Sequence, residues 1–129
     1  MQPQPLIALV DVPAGSAWFQ DVLGLHSAHG GDEYDMLLDG ETMVAQLHLW
    51  EAHEHPAMGD PDDPSRGNGI LLWFNTDDFD VVMQRVQGHG VTVVDGPLLN
   101  RNSGLREVWM RGPEGYCVVV SGPPSDDAG

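Results

Sequence analysis

Apolar residues fall into short runs separated by turn formers, and two of the intervening stretches carry a helical period. Residues 6–10 form an apolar run of buried-strand length. Asp11-Val12-Pro13 then marks a helix start, because proline is tolerated in a first turn. Residues 16–23 continue that helix, with Trp18 and Val22 on one face, Phe19 and Leu23 on another, and Gly24 as the stop. Strand patterns follow at 25–29, 34–38 and 42–50, divided by Gly30-Gly31-Asp32 and Asp39-Gly40. After residues 51–68 the order repeats. Residues 69–75 read as a buried strand, and Asp77 or Asp78 can cap a helix in which Phe79, Val82, Met83 and Val86 fall at i, i+3, i+4 and i+7. Gly88 and Gly90 stop this helix, and residues 91–94, 106–111 and 116–121 supply three more strands. The order is βαβββ twice over. Helices are too sparse for a doubly wound sheet, so the fold class is α+β.

These patterns divide the chain into a single domain over residues 1–122, with module one at about 4–50, a loop at 51–68 and module two at about 69–122. Residues 123–129 read as an acidic, disordered tail. The loop is long for a compact domain, which points to function or mobility. Its Glu51, Glu54, Asp60, Asp62 and Asp63 outnumber Arg66. It is expected to be mobile at the mouth of a cavity and to draw in cations.

Charge narrows the partners. Twenty acidic residues face five arginines and no lysine, for a net charge of −15. Such a surface repels phosphate backbones and anionic bilayers, so no nucleic-acid and no membrane partner is expected. It favours solubility or, more sharply, a cationic ligand. The start, Met1-Gln2-Pro3-Gln4-Pro5, has neither a basic stretch nor an apolar core, so a cytoplasmic location is the expectation. Cys117, the one cysteine, lies in an apolar run and reads as a buried, inert thiol.

The segment Leu9-Val10-Asp11-Val12-Pro13-Ala14-Gly15-Ser16-Ala17-Trp18-Phe19-Gln20-Asp21-Val22-Leu23-Gly24-Leu25 resembles the first strand and helix of the vicinal oxygen chelate superfamily, which includes glyoxalases, bleomycin resistance proteins and extradiol dioxygenases. Arg111-Gly112-Pro113-Glu114-Gly115-Tyr116 resembles that family's final turn, with Gly112 where an Asp is usual. Gly104-Leu105-Arg106-Glu107-Val108-Trp109-Met110-Arg111 is similar to the matching strand of the bleomycin-binding members. The resemblance covers roughly residues 4–122. It implies two curved half-sheets with helices outside, a concave face that forms the site, and a homodimer.

Alternation assigns faces within that frame. In residues 42–50, Met43, Ala45, Leu47 and Leu49 form an apolar set for the core, leaving Gln46, His48 and Trp50 on the other side. Aligning positions with the family adds Leu71, Trp73, Asn75, Glu107, Trp109, Cys117 and Val119 to that side. Enzymes of the superfamily hold a divalent metal there, and the four matching positions are Gln4, Gln46, Leu71 and Val119. Leucine and valine offer no lone pair and glutamine is a weak ligand, so no metal and no cofactor is expected, even if a register slip brings in His48. His53-Glu54-His55 reads as a solvated loop, and His26, His29 and His89 as residues beside turns.

What remains is a face carrying Trp50, Trp73 and Trp109, with Gln46, His48, Asn75, Glu107 and Leu71 around them. Three tryptophans there suit the stacking of a flat ligand, whereas Trp18 on the helix reads as core. The resemblance then implies non-catalytic sequestration of a DNA-damaging aromatic natural product of the bleomycin, mitomycin or enediyne class. Two readings stand beside it. One is a glyoxalase-like enzyme (lyase, isomerase, dioxygenase or thiol transferase) with a degenerate metal site, or a metal-free catalyst using His48 or Glu107 as an acid or base. The other is a domain that acts through dimerisation alone.

Overall fold

The structure, a computed structural model, describes residues 1–51, 55–65 and 67–125. The chain falls into two units, Met1–Ser65 and Arg66–Gly129. Each contains a four-stranded mixed sheet and one α-helix of three turns or so, an α+β arrangement. The βαβββ order read from the sequence is present in both.

In the first unit, β1 (Leu6–Leu9), α1 (Val12–Leu23), β2 (His26–Ser27), β3 (Tyr34–Asp39) and β4 (Thr42–Leu49) give the sheet order β1-β4-β3-β2. β1 runs parallel to β4, and the other pairs are antiparallel. α1 begins where Asp11, in extended backbone, accepts the Ala14 N–H on its carboxylate at 3.0 Å. Gly24, at φ 71°, closes the helix in the left-handed conformation that a side chain would disfavour. Val12, Phe19 and Val22 of α1 are buried, as are Leu9, Leu37, Ala45 and Leu47 of the sheet beneath. Gly15 permits the close approach, since a Cβ there would run into Leu9 Cδ1. Trp18 departs from the sequence reading. It is half-buried on the helix flank, edge-on to Phe19 at 5.1 Å, and Phe19 fills the core instead.

A buried carboxylate, Asp35, organises the start of this sheet. It accepts hydrogen bonds from Ser16 Oγ (2.6 Å), Ser27 Oγ (2.8 Å) and the backbone N–H groups of Gly30 (2.8 Å) and His29 (3.3 Å). Burial pushes its pKa up, but the hydrogen bonds from Ser16, Gly30, Ser27 and His29 outweigh that and hold it below the ordinary aspartate range. The same bonds explain why β2 spans two residues where alternation suggests five. The amides of His29 and Gly30 are given to Asp35 and not to a ladder.

In the second unit, β5 (Leu72–Asn75), α2 (Phe79–Gly88), β6 (Val93–Leu99), β7 (Arg106–Arg111) and β8 (Cys117–Gly122) repeat the plan in the order β5-β8-β7-β6. Asp78 caps α2 by accepting the Val81 N–H at 3.2 Å. Phe79, Val82 and Val86 of α2 are buried, as are Val108, Met110, Val118 and Val120 of the sheet. Each such side chain contributes roughly 1.5–3 kcal/mol of burial. Gly122 lets β8 reach α2, because a Cβ there would sit 2.8 Å from Phe79 Cβ. Arg106 ties β7 to α2, pairing with Asp80 at 2.8 Å while its guanidinium lies 4.6 Å from the Phe79 ring centroid.

The limits of β5 and β6 differ most from the sequence reading. β5 begins at Leu72 and not at residue 69, because Gly67 to Gly69 form a turn closed by Ile70 N–H to the Gly67 carbonyl at 2.9 Å. β6 spans Val93–Leu99 through Gly96-Pro97, where the sequence reading has a strand at 91–94. As an edge strand it tolerates a proline without losing a ladder bond, and it takes up the irregularity as two register shifts. Cys117 is half-buried and not buried as expected, lying at the first position of β8. In the tail, the Pro123 carbonyl accepts Arg106 Nε at 3.0 Å. Residues 126–129 lie outside the described residues, as do His53, Glu54 and Arg66 of the loop.

Candidate functional site

The register of the second sheet decides which side chains meet on the face turned away from α2. Trp73 pairs with Val119 and Val119 with Trp109, so the three form one row across β5, β8 and β7. Asn75, Ser121 and Glu107 form the adjacent row. β6 extends the rows with Asp95 opposite Trp109 and Leu98 opposite Glu107.

The tryptophans lean together over the middle strand. Strands two apart are separated by roughly 9.6 Å, yet the Trp73 and Trp109 ring centroids are 5.8 Å apart, edge to face at 82°. Val119 beneath them is fully buried, although it is on the sheet face opposite the helix. Both indole N–H groups point to the polar row. Trp73 Nε1 donates to Ser121 Oγ at 3.0 Å, and Trp109 Nε1 donates to Glu107 Oε1 at 3.1 Å. Asn75 Nδ2 also donates to Ser121 Oγ, and Asn100 Nδ2 donates to Glu107 Oε2 at 2.8 Å. Glu107 is 4% exposed, whereas Trp73 is 46% exposed. Trp73 is thus a ring held by its N–H with about half of its surface exposed.

Five expected residues are therefore placed in this unit. Trp73, Trp109, Asn75 and Glu107 are brought together on one face. Leu71 is exposed just before β5. Ser121 and Asn100, which orient the indole and the carboxylate, were not singled out in the sequence. Alternation in residues 117–121 puts Ser121 in phase with Val119, whereas nothing local marks Asn100.

The first unit places its own set. Gln46 and His48 lie on the face of β4 opposite the buried Ala45 and Leu47. Gln46 pairs with Leu6 and Met36, and His48 with Ala8 and Tyr34. Tyr34 Oη donates to Gln46 Oε1 at 2.6 Å, and Gln46 Nε2 donates to the Gln4 carbonyl at 3.0 Å. His48 Nδ1 lies 2.7 Å from the Leu49 carbonyl, which can only accept, so this nitrogen is the donor of the pair. A row of rings runs along this face. His29 lies 5.1 Å from Tyr34, Tyr34 6.1 Å from His48, and His48 5.6 Å from His55. The reading of His55 as a solvated loop residue and of His29 as a residue beside a turn misses these contacts, which only the tertiary fold creates. Trp50 is half-buried after β4, and its Nε1 donates to the Gly59 carbonyl at 2.8 Å across the Pro56–Met58 turn.

The donor set does not fit the superfamily's divalent metal. Leu71 and Val119 have no lone pair, and Val119 lies under the two tryptophans. The Gln46 amide oxygen already accepts from Tyr34, and Gln4 is exposed before β1. Among the described residues, no three His, Cys, Asp or Glu side chains are grouped to hold a metal ion. Among the same residues, no helix is long and apolar enough to cross a membrane.

Comparison with known proteins agrees with this architecture. A protein of unknown function from Agrobacterium tumefaciens superposes with a TM-score of 0.75 at 19% identity, over 96% of this chain and 95% of the other. A glyoxalase/bleomycin resistance protein/dioxygenase family enzyme from Burkholderia phytofirmans gives 0.74 at 19% identity, over 94% and 97%. The bleomycin resistance determinant encoded on transposon Tn5 gives 0.69 at 16% identity, over 97% and 99%. No curated protein sequence matches the chain. The sequence profile of the Glyoxalase/Bleomycin resistance protein/Dioxygenase superfamily matches residues 3–120. The chain belongs to that superfamily.

Proposed function

We propose that this protein binds and sequesters an aromatic natural product, of the bleomycin, mitomycin or enediyne class, without altering it. The observation that carries the reading is the Trp73–Trp109 pair. It stands over a position where the superfamily's enzymes need a metal ligand, and Val119 there has none to offer. A half-exposed indole held by its N–H is preorganised to stack, so little side-chain entropy remains to be lost on binding. Likeness to the Tn5 bleomycin resistance determinant supports the same class of task. The reading includes cytoplasmic capture by a homodimer. It also keeps Trp50, His48, Gln46 and Leu71 as ligand contacts, each open to substitution.

The test is titration of the wild-type protein with bleomycin, mitomycin C and planar aromatic compounds, read by tryptophan fluorescence. The ligand is then recovered and weighed by mass spectrometry. Saturable quenching with the ligand mass unchanged is the expected result. A second reading, metal-free catalysis, draws on His48, whose Nε2 is the ring nitrogen not turned to the Leu49 carbonyl and would be the one to take a proton from a bound molecule. Conversion of a ligand to a new mass, abolished by His48→Ala, would establish that reading in place of sequestration.

A further inference from the structure

Among the described residues, the buried Glu107 carboxylate meets no cationic side chain. Burying a charge is costly unless it is paired, and a partner of opposite sign recovers part of the cost. Its partners among the described residues are two neutral donors, the Asn100 amide and the Trp109 indole. The nearest arginine in sequence, Arg106, alternates to the other side of β7, where it is held by Asp80, the Phe79 ring and the Pro123 carbonyl. Arg111 donates to the Gly115 carbonyl beyond the strand. A carboxylate has about four lone-pair directions, and two are used here. Beside it stand two tryptophan rings, whose faces attract cations. Opposite Trp109, on the edge strand, Asp95 adds a second and exposed carboxylate.

We infer that Glu107 and the Trp73–Trp109 pair form a subsite for the protonated nitrogen of an aromatic organic cation. The rings take the flat body and Glu107 takes the N–H group. This rests on the proposed stacking role of the tryptophans and adds the charge class of the ligand. The net charge of −15 attracts any cation at long range, but it does not select a position. Glu107 does, because an N–H donor that reaches it replaces water with a charge-assisted hydrogen bond.

The experiment compares 9-aminoacridine, cationic at pH 7.5, with neutral acridine. Both are titrated at about 0.5 M salt, where screening shortens the reach of the general field to roughly 4 Å. Wild type is expected to bind the cation about ten-fold more tightly than the neutral ring. Glu107→Gln keeps the side-chain shape and should bring the two affinities within about three-fold of each other. Asp95→Asn, at an exposed position, serves if Glu107→Gln fails to fold, and it should narrow the preference in the same direction. Equal binding of the two probes by wild type overturns the charge assignment but leaves the aromatic reading intact. So does a preference that survives Glu107→Gln, or survives Asp95→Asn where that variant is the one that folds. Binding of neither probe overturns both.

Discussion

Replacing Trp73 by alanine separates a ligand-holding ring from a packing one. Trp→Ala in a core costs about 3–5 kcal/mol. Trp73 is 46% exposed, so roughly half of that applies, or about 2 kcal/mol. Loss of the edge-to-face contact with Trp109 adds about 0.5–1.5 kcal/mol. Ser121 Oγ loses one donor but keeps Asn75. The sum, about 2.5–3.5 kcal/mol, corresponds to a fall in Tm of roughly 10–14 °C for a chain of this size. The variant should therefore fold at room temperature. Its effect on binding should be larger in proportion, since a stacked ring contributes about 1–3 kcal/mol, or roughly ten- to hundred-fold in Kd. The assay is a thermal melt and a fluorescence titration on the same preparation, with Met110→Ala as the control. Met110 is fully buried on the α2 side of the sheet, so that variant should lose about 2–5 kcal/mol of stability. Its affinity should stay within about two-fold. If Trp73→Ala behaves like Met110→Ala, stability falling while affinity holds, the tryptophan is packing and the stacking argument fails.

Three further outcomes follow from the geometry. Asp35→Asn turns donor hydrogens toward groups that are themselves donors and should cost about 2–4 kcal/mol in urea unfolding at pH 7. Because the folded-state pKa of Asp35 is lowered, its contribution is present above the unfolded value and is lost as pH falls through the folded one, so wild type should weaken below about pH 4 and the variant far less. Protein dialysed after exposure to zinc, nickel, manganese or iron should retain no stoichiometric metal, and retention abolished by Gln46→Ala would reinstate an enzyme-type centre. Light scattering at micromolar concentration should give the mass of a homodimer, and a monomer would remove that part of the functional reading.

Much of the fold was legible in the sequence because it is written in local periods. Phe79, Val82 and Val86 recur at helical spacing and are buried together, and Asp11 and Asp78 cap the two helices from their own sequence neighbourhoods. Alternation also placed Gln46, His48 and Trp50 on the side away from the core, since a period of two needs only the strand itself, whereas Trp73, Asn75, Glu107 and Trp109 were put there by the family resemblance. It could not say what stands beside what. That depends on register between strands far apart in the chain, which set Trp73 and Trp109 on either side of Val119 and closed them over it. The roles of Ser121 and Asn100, as the partners that fix an indole and a carboxylate, became visible only there. Asp35 shows the same limit from the opposite direction. Its neighbours give no hint of burial, and it is buried because Ser16, Ser27 and the backbone N–H groups of His29 and Gly30 converge on it from a helix, a strand and a turn. Periodicity is a property of one segment, whereas a polar group's satisfaction is a property of all the segments that reach it.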